Sequence, residues 1–129
     1  MKLQRDEMVL FLDCTSSSHK RTRAFAYSIS NHVREYTFME YKFTKSMWRD
    51  ILDMLGIEPK HLLNKADPKY QREIKGKSFD EEDWLNILIN NPCLIKAPIA
   101  IMHDKAVLCI SPKDVYKLTN LPDHNLTNI

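Results

Sequence analysis

The chain has 129 residues, 43% of them hydrophobic, which suits one domain, 1–129, with a core of its own. Its 19 basic and 17 acidic residues nearly cancel, leaving a formal charge of +2 and none of the strongly basic surface that holds nucleic acid. With only 2 glycines there is no Gly-rich phosphate loop, and no apolar run approaches a membrane span, so nucleotide chemistry and membrane insertion are both disfavoured.

In chain order, the polar start is followed by "MVLFLD", a short apolar run rich in β-formers that predicts a strand covered on both faces. After "CTSSS" comes a basic stretch, "HKRTRAF", that opens a helix, with Ser17 or Ser18 available as its cap. The alternation in "REYTFMEYKF" predicts a second strand. "TKSMWRDILDMLG" is the clearest amphipathic helix: Thr44 as N-cap, Met47, Trp48, Ile51, Leu52 and Leu55 along one stripe, and Gly56 at its end.

A helical block then interrupts the sheet. "EPKHLLNKADPKYQREIKG" holds short helical pieces, and "SFDEEDWLNILINNP" begins at Ser78, has acids in its first turn and stops before Pro92. Trp84, Leu85, Leu88 and Ile89 form its expected buried face. "APIAIM" and "AVLCIS", separated by "HDK", have the shape of an antiparallel hairpin, and "SPKDVYKL" starts a last helix with Ser111 as cap and Pro112 at its first position. The core is expected over about residues 8–119, with 120–129 as a tail without periodicity. The order predicts an α/β thioredoxin-like fold: a mixed sheet of about four strands with a helical insertion.

Three cysteines, Cys14, Cys93 and Cys109, lack the spacing of a disulfide framework or a zinc site. His19, His32, His61, His103 and His124 have no paired spacing to other ligands, so no metal is expected. The odd cysteine count and the lack of a signal-like segment favour a reducing, cytoplasmic setting, while a disulfide between distant cysteines stays open.

Beyond this pattern, "MLGIEPKHLLNKADPKYQ" is similar to the helical insertion of the glutaredoxin-linked arsenate reductases called ArsC, to which the transcription regulator Spx is related. "LINNPCLIKAPIAIMHDKAVLCISPKDV" is similar to the family's following segment and hairpin, so the resemblance runs from about Val9 to Leu118. It implies that Pro98, after Ala97, is a cis-proline beside the active-site loop. It also implies a nucleophilic cysteine between the first strand and the first helix, with arginines holding the oxyanion.

In this chain the implied active-site loop is Cys14, Thr15, Ser16, Ser17, Ser18 and His19. Counting back from the helix puts Ser16 at the nucleophile position, counting forward from the strand puts Ser17 there, and an unassisted serine hydroxyl cannot replace a thiolate at neutral pH. With one gap, "CTSS" reads instead as C-x-x-S and makes Cys14 the candidate nucleophile. The three arginine positions fall on Asn64, Ala97 and Ile110, none of them basic.

The resemblance therefore implies an ArsC-like protein with a degenerate site, acting without a cofactor as a binding or regulatory module for a protein partner, with no nucleic acid and no membrane. An exposed patch around Tyr36, Tyr41 or Trp48 is expected for such a partner. A weak anion site at Thr15 to His19, beside Lys20 and Arg21, is a further expectation. The alternative is a thiol-dependent oxidoreductase, of arsenate reductase or glutaredoxin type and linked to glutathione, that uses Cys14.

Overall fold

The computed structural model describes residues 7–14 and 19–119; the expectations for Thr15, Ser16, Ser17, Ser18 and the tail 120–129 lie outside the described residues. Four strands form one sheet: β1 (Glu7–Leu12), β2 (His32–Thr37), β3 (Ile99–Met102) and β4 (Lys105–Leu108). Their order is β2-β1-β3-β4, with β1 parallel to β2 and antiparallel to β3, and β3 antiparallel to β4. The helices are α1 (His19–Ile29), α2 (Lys45–Leu55), α3 (Pro68–Glu73) and α4 (Glu81–Asn90), joined by 3-10 turns at Pro59–Leu62 and Pro92–Leu94. A 3-10 helix at Pro112–Leu118 follows the sheet.

β1 is buried along its whole length because it sits between two strands and two helical layers. Its alternate residues divide the core. Val9 and Phe11 face a layer with Trp48 and Ile51 of α2 and Leu85 and Leu88 of α4, whereas Met8, Leu10 and Leu12 face Ala26 of α1 and Val115 and Leu118 of the last helix. This two-sided burial explains why β1 reads as an unbroken apolar run.

The strand predicted over "REYTFMEYKF" is shorter than its alternation suggests. β2 starts at His32 and ends at Thr37, where the Thr37 and Glu40 side chains each bond the other residue's backbone N–H and turn the chain. Phe38, Tyr41 and Phe43 then pack with Phe11 and Trp48 as an aromatic cluster, Phe43 lying 4.7 Å from Trp48 between ring centroids. Trp48 is fully buried there, and Tyr36 and Tyr41 are half-buried, so the patch expected around these three residues belongs to the core side of the molecule.

α2 has the caps its sequence predicts. The Thr44 hydroxyl accepts from the Met47 N–H, and Gly56 takes a left-handed φ of 68° while its N–H donates to the Leu52 carbonyl. α4 is capped by Asp80 instead of Ser78, through a reciprocal box with Asp83. An acid two residues closer to the helix could satisfy the N–H groups that Ser78 could not reach. The last helix keeps Ser111 and Pro112 in their predicted places but winds as 3-10.

No cis peptide bond occurs among the described residues, so the expectation for Pro98 is corrected: the Ala97–Pro98 bond is trans. Pro98 directly precedes β3, where its missing N–H removes no ladder bond, and its carbonyl accepts from the Cys109 N–H at 2.7 Å.

Candidate functional site

The site lies where β1 ends. Asp13 and Cys14 follow Leu12 directly, and the register Phe11↔Ile99 sets this end of β1 beside the Ala97–Pro98 approach to β3. Asp13 is 3% exposed, and its Oδ1 lies 3.1 Å from Nε2 of His19, the first residue of α1. A buried carboxylate needs such a partner. No spacing in the sequence marks this His and Asp pair, because the two residues stand on opposite sides of the loop.

Cys14 is disulfide-bonded to Cys93, 79 residues further along, with 5.2 Å between the Cα atoms. That spacing lies within the ordinary disulfide range. The sequence leaves a disulfide between distant cysteines open, and the fold supplies one, because spacing along the chain says nothing about two thiols that the sheet brings together.

Cys93 is carried to Cys14 by a firmly held turn. α4 stops at Asn91, whose Nδ2 donates to the Ile87 carbonyl, and Pro92 begins a 3-10 turn that cannot continue the helix. The turn is tied to the insertion: the Asn64 N–H donates to the Leu94 carbonyl at 2.7 Å and the Lys96 N–H to the Leu62 carbonyl at 2.9 Å. Leu62, Leu63, Leu94 and Ile95 are buried beneath these bonds.

The positions implied for the oxyanion arginines gather at this same end. Asn64 bonds the Cys93–Leu94 turn, Ala97 is buried just before Pro98, and Ile110 follows Cys109, which bonds Pro98. Asn64 uses its Oδ1 to accept from the Ala66 N–H, and Ile110 is 64% exposed. These three side chains offer no positive charge to an oxyanion.

Cys109 is a different kind of thiol. It is 3% exposed, packed with Leu10, Leu12, Val115 and Leu118, and burial, helped by Asp114, pushes its pKa up to about 12. It behaves as a small core hydrophobe, as its neighbours in the sequence suggest. Among the described residues no group of three His, Cys, Asp or Glu side chains could hold a metal ion, and no helix is long and apolar enough to cross a membrane.

A four-stranded mixed sheet with this order and its helical layers, and a cysteine directly after β1, define a thioredoxin-like α/β fold. The insertion between β2 and β3 narrows the class further, and the chain belongs to the ArsC family: the model of that family matches residues 12–118. Among solved structures it is similar to arsenate reductase from Vibrio cholerae, at 16% identity and a TM-score of 0.76, over 90% of this chain and 100% of that one. It is also similar to an arsenate reductase (ArsC) related protein from Brucella melitensis, at 12% identity and a TM-score of 0.63, over 93% of this chain and 100% of that one. The protein SACOL0876 from Staphylococcus aureus matches at 24% identity and a TM-score of 0.69, over 88% of this chain and 98% of that one. No curated protein sequence matches the chain.

Proposed function

We propose that this ArsC-family chain does not reduce arsenate and works instead as a thiol–disulfide protein through Cys14 and Cys93. The observation that carries the reading is the pairing of these two cysteines just after β1, at the start of the loop in which the resemblance implies a reactive thiol. The dithiol form gives two electrons and two protons to a disulfide substrate and becomes the Cys14–Cys93 disulfide. Two molecules of a small thiol, glutathione being one choice, restore the dithiol and leave as their own disulfide.

Arsenate is a poor fit because its negative charge has to be met by hydrogen-bond donors that carry positive charge. Asn64, Ala97 and Ile110 supply none, which is the sense in which the arsenate site of this chain is degenerate. A thiol–disulfide exchange needs no oxyanion site, so the same losses leave it intact.

A non-catalytic binding or regulatory role toward a protein partner is the second reading. It is favoured by Met39 and Ile110, apolar residues that are 65% and 64% exposed. The two readings separate in an assay of the reduced protein with a small disulfide and, in parallel, with arsenate. The thiol–disulfide reading expects turnover of the disulfide that is lost in both Cys14→Ser and Cys93→Ser, and no arsenate-dependent oxidation of thiol. Arsenate-dependent oxidation would overturn it, and an inert wild-type protein would leave the binding role.

A further inference from the structure

We infer that Cys93, and not the cysteine that follows β1, is the sulfur an external thiol attacks, so that Cys14 acts as the leaving and resolving thiol. This rests on the thiol–disulfide reading above. In the disulfide the two ends are unequally covered: Cys93 is exposed and Cys14 is half-buried. Cys93 also lines a cleft of about 240 Å³ together with Met39, Lys69, Pro92 and Leu94, and Cys14 is not among the lining residues.

Access decides which sulfur reacts because a thiolate must approach along the S–S axis, from the side opposite the sulfur that leaves. Cys93 is exposed and borders the cleft, so an incoming thiolate has room on its side. Cys14 is the more covered end: it is half-buried and follows the buried Asp13.

The exchange balances. The thiolate of a small thiol forms a bond to the Cys93 sulfur, the Cys14–Cys93 bond breaks, and the electron pair leaves on Cys14 as a thiolate that takes a proton from water. A second small thiol then attacks the mixed disulfide on its outer sulfur and frees Cys93. In the oxidising direction Cys93 attacks the disulfide substrate first, and Cys14 resolves the mixed disulfide.

The test uses the full chain and mercaptoethanol as the probe. The oxidised protein is mixed with mercaptoethanol, quenched in acid at successive early times, alkylated and mapped by mass spectrometry. The expected first product carries mercaptoethanol on Cys93 and the alkyl group on Cys14. As a second measurement, reduced Cys14→Ser and Cys93→Ser are exposed to hydroxyethyl disulfide, and the adduct on Cys93 is expected to form at least about tenfold faster than the adduct on Cys14. An adduct mainly on Cys14, or equal rates in the two variants, would overturn the assignment while leaving the thiol–disulfide reading in place. Three free thiols in the protein after oxidation would remove that reading and this inference with it.

Discussion

Reducing the Cys14–Cys93 bond is expected to lower the thermal stability of the protein by a large and calculable amount. The bond closes a loop with a sequence separation of 79. For a loop of that length, the restriction it places on the unfolded chain corresponds to about 4.5 kcal/mol at 25 °C, and measured effects more often fall at about 2–4 kcal/mol. A chain of 129 residues unfolds with an entropy of roughly 270 cal/mol/K, so each kcal/mol moves Tm by about 4 °C. Reduction should therefore lower Tm by about 8–16 °C. The assay is differential scanning calorimetry of the wild-type chain and of the Cys14→Ser, Cys93→Ser double variant, each with and without dithiothreitol. The wild type should fall to the level of the double variant on reduction, and the double variant should not respond. A wild-type shift below about 2 °C would refute the reasoning, because it would mean that the crosslink does not restrain the unfolded chain.

Three further outcomes follow from the packing. Trp48→Ala removes a fully buried indole from the aromatic cluster and should destabilise the fold by about 3–5 kcal/mol in urea unfolding; a loss under about 1 kcal/mol would mean that Trp48 is not a core residue. Gly56→Ala puts a side chain on a left-handed residue with nothing within 4 Å of the added carbon, so the cost should be conformational, about 1 kcal/mol; a loss several times larger would point to a clash instead. Cys109 should resist iodoacetamide at pH 9 in the folded protein and react on unfolding. With its folded pKa at about 12 and an unfolded value near about 8.5, its contribution is complete below the unfolded value and is lost as pH rises toward the folded one. The stability gap between wild type and Cys109→Ala should therefore narrow above about pH 9, and a gap that widens would contradict the burial argument.

Much of the fold was legible because local signals and tertiary burial agree. The apolar run of β1, the amphipathic stripe and caps of α2 and the Ser111–Pro112 start of the last helix each say locally what the packing then requires. β2 ends sooner than its alternation suggests, because the aromatic residues after Thr37 alternate like a strand and yet serve a cluster built by a turn. The site was less legible, since its two halves are far apart in sequence. The loop after β1 announces Cys14, but Cys93 gains its meaning only when the Leu62–Leu63 segment and the approach to β3 fix the turn that carries it. The Asp13–His19 pair was hidden for the same reason, being a contact across a loop and not a spacing within one element.

The Cys14–Cys93 couple is tested most directly by a redox titration of the full chain in dithiothreitol buffers of graded potential, with free thiols alkylated at each step and located by peptide mapping. One two-electron transition is expected, in which Cys14 and Cys93 become alkylated together, with about a tenfold change in the ratio of forms per 30 mV, while Cys109 stays unlabelled until the protein is denatured. Independent labelling of Cys14 and Cys93 at every potential, or a disulfide that recruits Cys109, would contradict it.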